Sequence, residues 1–432
     1  MAKSAKPSPK PRAASSALLK GNAVVGQSGG PTAVINQSLV GVVEALRAFK
    51  AVKKIYGMRH GVNGLTRTPP ELVDMARISA PDLARLAKTP SAALGSSRDK
   101  PDAEYCARIF ESLAKNDVRY FFYIGGNDSS DTCRIVSELA QQQGYDLRCF
   151  HVPKTVDNDL MENDHTPGYA SAARFNAMAF MADSMDNASL PGVKINVVMG
   201  RHAGFLTAAA ALARGDSKFR DRNGPHLVYL PEVHFDSQKF LADVESVYAR
   251  LGRCQIAVSE GIQDHAGRPI VTTLLEHLEK DAHGNVQLSG VGALGDALSD
   301  LIKKNLKSSS GKPLRVRADT FGYLQRCWPD ASAVDAAEAR NVGRQAVAFA
   351  KQGFESGSVA IQRVSTKPYK VRLARVELRQ VAGKTRHMPA DFIAGHNDVT
   401  DKFIAWAKPL VGKLPEMVRI YEIKGGGLIQ QA

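Results

Sequence analysis

From Asn22 onward, short apolar runs alternate with amphipathic stretches along most of the chain. NAVVGQ (22–27) is almost wholly apolar and leads through a glycine-rich turn into the helical pattern of SGGPTAVINQSLVGVVEALRAF (28–49). Apolar runs this short, bounded by turn residues, predict buried strands, and apolar positions recurring three and four apart predict helices. The same pattern predicts strands at VKKIYGM (52–58), VRYFFYIGG (118–126), DLRCFHVPK (146–154), KINVVMG (194–200), HLVYLPE (226–232), CQIAVSEG (254–261) and RVRADTFGY (315–323). YCARIFESLAKN (105–116) and a stretch from Asp131 are among the helices predicted between them.

Strands alternating with helices predict a mostly parallel sheet covered on both faces. The strands are too many for one doubly wound unit, and 432 residues exceed one ordinary core. The expected fold class is therefore α/β, with two Rossmann-like domains, and no short-period repeat is visible. Residues 21–165 with about 326–390 are expected to form one domain, and 166–325 with about 391–432 the other. Residues 1–20, rich in Lys, Pro, Ala and Ser, read as a disordered basic tail that cannot bury enough apolar surface to fold.

Charge narrows the function classes. The chain carries 57 basic and 43 acidic residues, a net charge of +14. The basic residues are scattered, without the aromatic-interleaved stripe of a nucleic-acid binder. An enzyme that steers polyanionic substrates is the stronger reading, with no nucleic acid as partner. No apolar run reaches the roughly 18 residues of a membrane span. No apolar segment precedes a cleavage site, so a cytoplasmic location is expected. The five cysteines show no CxxC spacing, so neither a zinc site nor a disulfide framework is indicated.

In folds of this class ligands bind beyond the carboxyl ends of strands, and the unusual residues fall there. Gln27-Ser28-Gly29-Gly30-Pro31-Thr32 lets backbone N–H groups approach a phosphate, although it lacks the lysine of a P-loop. Gly125-Gly126-Asn127-Asp128-Ser129 repeats the glycine pair, with a carboxylate beside it; the bland reading is a helix cap by Asp128 or Ser129. Pro153-Lys154-Thr155-Val156-Asp157-Asn158-Asp159 brings a cation, a hydroxyl and two carboxylates into seven residues. Phosphoryl transfer needs a base, cations and a metal; Asp157 could be the base and Lys154 a cation.

These loops, in this order, resemble the A-type 6-phosphofructokinase family. The resemblance continues in ALGSSR (93–98), MGRHAG (199–204), PEVHF (231–235), SEG (259–261) and GYLQR (322–326). It implies transfer of a phosphoryl group to the 1-hydroxyl of fructose 6-phosphate with Mg²⁺, on a homodimer or homotetramer whose sites form across subunits. Asp157 matches the family's base, and Thr155, Val156 and Asp159 flank it in the motif. Met199, Gly200 and Arg201 match the sugar-binding MGR motif, and Glu260 the glutamate that bonds the sugar. Arg317, Tyr323, Leu324, Gln325 and Arg326 match the stretch that holds the 6-phosphate. Gly29, Gly30, Gly126 and Ser129 match the phosphate-donor loops, and Arg98 an arginine near the transferred phosphate. Asn127 stands where an aspartate usually contacts magnesium, which makes it a neutral metal-side ligand.

Two positions bear on the donor. ATP-dependent members resemble GGDGS and PGTIDND, whereas this chain has GGNDS and PKTVDND. Asp128 would put a carboxylate near an ATP α-phosphate, and like charges in contact cost several kcal/mol. Lys154 would put an ammonium over the transferred phosphate, as in the pyrophosphate-dependent members. The expected activity is therefore reversible phosphoryl transfer from pyrophosphate to fructose 6-phosphate. The alternatives are an ATP-dependent kinase and a non-catalytic polyanion- or nucleic-acid-binding protein on the same fold. His60, His151, His202 and His234 read as structural, and KVRLARVELRQVAGKTRHMPADFI (370–393) as an exposed strand pair.

Overall fold

The computed structural model describes residues 18–100, 102–216, 220–274, 292–308, 311–420 and 423–424. The predicted tail lies almost wholly outside these residues. Eleven strands build the two main sheets: β1 (Gly21–Gln27), β2 (Val52–Met58), β3 (Leu72–Asp74), β4 (Val118–Gly125), β5 (Arg148–Pro153), β6 (Val193–Val198), β7 (Leu227–Tyr229), β8 (Cys254–Ser259), β9 (Val316–Thr320), β10 (Ser356–Thr366) and β11 (Tyr369–Val376). The first sheet has the order β11–β10–β5–β4–β1–β2–β3, and the second β7–β8–β6–β9. The second sheet is wholly parallel, and the first is antiparallel only at β2–β3 and β10–β11. This is the α/β architecture expected from the alternation.

The apolar runs are explained by burial on both faces. Along β4, Tyr120, Phe122 and Ile124 pack into one core with Leu39, Phe150 and Val347, while Phe121 and Tyr123 face the opposite core with Val24, Val136 and Cys149. Successive strand residues point to opposite faces, so only a continuous apolar run can fill both. Each fully buried Phe contributes about 1.5–3 kcal/mol of transfer free energy. Helices Ile35–Arg47 and Ala333–Lys351 cross closely over this sheet. A Cβ on Gly41 would stand 2.1 Å from the Arg340 carbonyl oxygen, and one on Gly343 2.2 Å from that of Ser38.

Three differences from the sequence reading concern local structure. The helix expected from Asp131 begins at Asn127 and runs to Gln142. Its polar start favours loops, but Ser130 donates to the Asn127 carbonyl at 2.7 Å and Thr132 to that of Asp128 at 2.9 Å. These back-bonds occupy hydroxyls that would otherwise compete with the helix. Its N-cap is Gly126, with no side-chain cap, so neither Asp128 nor Ser129 caps it. The first helix starts at Ile35, well after the glycine pair. Finally, Tyr369–Val376 pairs with Ser356–Thr366 rather than within the basic stretch, whose remainder is a short helix, Leu378–Val381, followed by irregular backbone.

Register places the functional loops. Gln27 pairs with Ile124, Ile124 with Val152, and Gly125 with Pro153, so β1, β4 and β5 end level. In the second sheet Val198 pairs with Ser259 and Val197 with Thr320, so β6, β8 and β9 also end level. Among the described residues no helix is long and apolar enough to cross a membrane.

Candidate active site

The loops after β1, β4 and β5 meet around Lys154. Lys154 is 2% exposed, and its Nζ donates to the Gly30 carbonyl at 2.7 Å. Gly29 has φ +73°, and a Cβ there would come within 3.1 Å of that Nζ. A Cβ on Gly30 would stand 3.1 Å from Arg326 Cζ. The absent side chains thus leave the space that admits two cations. Gly29 N–H donates to the Ser97 carbonyl at 2.8 Å, and Ser129 Oγ to Ser28 Oγ at 2.9 Å, joining the two glycine loops and the segment carrying Arg98. Gly126 begins the uncapped helix Asn127–Gln142, whose amides are free to meet an anion. Asp128 is exposed in its first turn.

The second sheet supplies the facing wall. Met199 is buried, and its N–H donates to Gln325 Oε1 at 3.4 Å, so the loops after β6 and β9 are joined. Ser259 Oγ donates to the Gly200 carbonyl at 2.7 Å, which fixes the loop after β8 against the same turn. Arg326 stacks on the exposed Tyr323 ring, Cζ 4.2 Å from its centroid, and reaches the glycine loop of the first sheet. Leu324 is exposed. Arg317 stands apart: it is exposed on the N-terminal half of the edge strand β9 and donates to the Val316 carbonyl at 3.0 Å. These loops bring Lys154, Asp157, Asp159, Arg98, Arg201, Glu260 and Arg326 close enough to act electrostatically on one another, and within the single chain Arg317 lies outside that group.

Burial dominates the electrostatics. It lowers Lys154 to about 7, with Arg326 as the next contribution and Asp157 and Asp159 opposing both. It raises Asp157 above the usual carboxylate range, against the pull of Arg326, Lys154, His202 and Arg201. It raises Asp159 to about 7, with the Asp157 carboxylate adding to the shift, and Glu260 to about 7 in the same way. Burial and the nearby Arg98 lower Arg326. Buried cations and carboxylates thus act on one another across the site.

The Asp157 loop is conformationally costly. Asn158 and Glu162 are non-glycine residues at φ +58° and +65°. Such residues cost on the order of 1–3 kcal/mol each and persist only where the surroundings hold them. Asn127 Oδ1, Asp157 Oδ1 and Asp159 Oδ1 are buried without a hydrogen-bond partner, although Asn127 Nδ2 donates to Asp159 Oδ2 at 3.4 Å. Thr166 Oγ1 donates to the Thr155 carbonyl at 2.8 Å. Asp335, buried beneath, accepts from the N–H groups of Gly168 and Ser171 at 2.9 Å each. Among the described residues no group of three or more His, Cys, Asp or Glu could hold a metal alone.

Three histidines border these loops. His202 follows the MGR motif and acts electrostatically on Asp157. His387 donates from Nδ1 to the His202 carbonyl at 2.8 Å, from irregular backbone in the stretch expected to be an exposed strand pair. His151, read as structural, is buried between Gly125 O and Ser358 Oγ at 2.8 Å each.

Residues 22–350 match the phosphofructokinase family. A pyrophosphate–fructose 6-phosphate 1-phosphotransferase of Rhodospirillum rubrum is 54% identical over 406 residues, covering 93% of this chain and 97% of its own. One of Xanthomonas campestris pv. campestris is 37% identical over 410 residues, 92% of this chain and 93% of its own. The crystal structure of a pyrophosphate-dependent phosphofructokinase from Nitrosospira multiformis is similar at a TM-score of 0.78 and 35% identity, covering 92% of this chain and 94% of that one.

Proposed function

This chain belongs to the phosphofructokinase family, and from that premise we propose how its residues carry out the family's chemistry. It is a phosphotransferase that moves a phosphoryl group reversibly from pyrophosphate to the 1-hydroxyl of fructose 6-phosphate. In this reading Asp157 accepts the proton of the 1-hydroxyl as that oxygen bonds to phosphorus. The bond from phosphorus to the bridging oxygen breaks, and inorganic phosphate leaves. Lys154 and Arg98 hold charge on the transferred group, with Gly29, Gly30, Gly126 and Ser129 around it. Arg201, Glu260, Met199 and the Tyr323–Arg326 turn bind the sugar phosphate, guanidinium groups being suited to phosphate.

The observation that carries the donor assignment is Lys154 lodged in the glycine loop at 2.7 Å from the Gly30 carbonyl, with Asp128 exposed in the first turn of the helix that follows the second glycine loop. The ammonium occupies room that a longer donor would need, and the carboxylate repels a third phosphate.

The orphaned oxygens of Asn127, Asp157 and Asp159 suit a hard divalent cation. Asn127 and Asp159 would hold magnesium, which neutralises pyrophosphate charge when bound. Residues 21–165 with about 326–390 are assigned to the pyrophosphate half, and 166–325 with about 391–432 to the sugar half. A homodimer or homotetramer in the cytoplasm completes the proposal, resting on the sequence resemblance. Product formation with each donor in turn is the test; turnover supported by ATP but not pyrophosphate defeats it.

A further inference from the structure

The loop that carries Asp157 is held from a distant part of the chain. Leu160 is fully buried with Ala360, Val376 and Val381 in a small apolar cluster of its own. Val381 ends the short helix Leu378–Val381, which a reciprocal capping box at Glu377 and Gln380 fixes in place. The chain then turns back across the loop. Thr385 bridges Leu160 in antiparallel fashion, and the Arg386 N–H donates to the Asp159 carbonyl at 2.7 Å. Arg386 Nη1 donates to the carbonyls of Asn163 and Asp164 at 2.6 and 2.8 Å, and its Cζ lies 4.9 Å from the centre of the Phe205 ring.

The same strap reaches the sugar-side loops. His387 donates to the His202 carbonyl at 2.8 Å. The Met388 N–H donates to Glu232 Oε1 at 2.9 Å, and the Gly204 N–H donates to that same oxygen at 2.9 Å. Residues 385–388 therefore pin three loops in one mutual relation: the Asp157–Asp164 loop, the Met199–Gly204 loop and the Glu232 turn. The first of these most needs an external hold, since Asn158 and Glu162 sit in the left-handed region and Asp157, Asn158 and Asp159 each keep a buried polar atom unpartnered.

We infer that Arg386 is a positioning residue for phosphoryl transfer: its backbone N–H and guanidinium hold the Asp157 loop at both ends and set the base relative to the sugar-side loops. The inference rests on the assignment of Asp157 as the base. The Arg386 guanidinium spends its hydrogen bonds on backbone carbonyls and stacks on Phe205, so its removal displaces the base without removing an assigned substrate contact.

The test uses the full-length enzyme, with steady-state kinetics on pyrophosphate and fructose 6-phosphate and a melting curve for each variant. Arg386→Ala is expected to lower kcat about 10–100-fold, the effect of moving a catalytic group by about an ångström. KM for both substrates should stay within about twofold. Arg386→Lys should recover part of kcat, since an ammonium can still reach one of the two carbonyls. Lys384→Ala, at an exposed neighbour on the strap, should match wild type. A lower melting midpoint with kcat per folded protein unchanged would reduce Arg386 to a structural role and overturn the inference. A KM rise at unchanged kcat would overturn it too. If Arg386→Ala does not fold, Arg386→Lys decides: normal kcat refutes, and reduced kcat at normal KM supports. Wild-type enzyme inactive with pyrophosphate would defeat the functional reading first, and this inference with it.

Discussion

Lys154 and Gly30 are joined by a 2.7 Å hydrogen bond from Nζ to the carbonyl, so the cation at the end of one strand is housed in the glycine turn of another. Burial is the main reason this lysine is lowered to about 7, so it changes charge within the working pH range. Its protonated form, the one that binds phosphate, is lost as pH rises through that value. In kcat/KM for pyrophosphate, wild type should show an alkaline limb near 7. Lys154→Arg keeps the charge at every such pH, so the limb should vanish whatever the absolute rate. A pH–rate profile of both proteins checks this, and an unmoved limb would contradict the assignment.

Asp157→Asn keeps the shape and removes the base. Turnover should fall by on the order of 10²–10⁴, with KM for fructose 6-phosphate nearly unchanged. The acid limb of the wild-type profile, which reports protonation of the base, should disappear in the residual activity. Near-normal forward turnover would remove Asp157 from the mechanism.

Asp159 makes a stability prediction. Its folded pKa of about 7 lies above the ordinary 3.8, because burial and the Asp157 carboxylate disfavour its charge. The native state therefore binds this proton more tightly than the unfolded chain. The destabilisation is fully present above about 7 and fades as pH falls toward the unfolded value. Without added divalent cation, Asp159→Asn should raise the melting midpoint at about pH 8 and much less at about pH 5. Equal shifts at both pH values would show that its charge is not the cause.

Asp128→Gly tests how the donor is excluded. Gly126 is the N-cap and no side chain caps that helix, so Asp128→Gly removes a favourable dipole interaction of about 0.3–1 kcal/mol and adds glycine's lower helix propensity, without loss of a cap. The variant should begin to bind a non-hydrolysable ATP analogue in isothermal titration and lose some activity with pyrophosphate. Lys154→Gly alone should lose pyrophosphate turnover without admitting the analogue, and the double variant should be the best ATP user of the set. Undetectable binding by both wild type and Asp128→Gly, with unaltered pyrophosphate kinetics, would refute charge exclusion.

The buried strands were legible because both faces of β4 need apolar side chains, which leaves VRYFFYI little ambiguity. The glycine pairs and the Lys154–Asp159 cluster were legible because turns alone do not need that chemistry. The onset of the helix at Asn127 was not, because Ser129 and Ser130 have low helix propensity and the hydrogen bond from Ser129 to Ser28, 101 residues away, is invisible locally. Arg386 and His387 lie in irregular backbone whose hydrogen bonds go to residues about 180 to 230 positions away in sequence, and no periodic pattern encodes such contacts. Arg317 lies exposed on the edge strand β9, a position that follows from the sheet order and not from its motif.

The central claim is that pyrophosphate is the phosphoryl donor. It is tested most directly by initial-rate formation of fructose 1,6-bisphosphate from fructose 6-phosphate with magnesium, comparing saturating pyrophosphate with saturating ATP. The expected result is turnover with pyrophosphate, release of one phosphate per product, a measurable reverse reaction from fructose 1,6-bisphosphate and phosphate, and no turnover with ATP. Turnover with ATP at a rate equal to or above that with pyrophosphate would contradict the account.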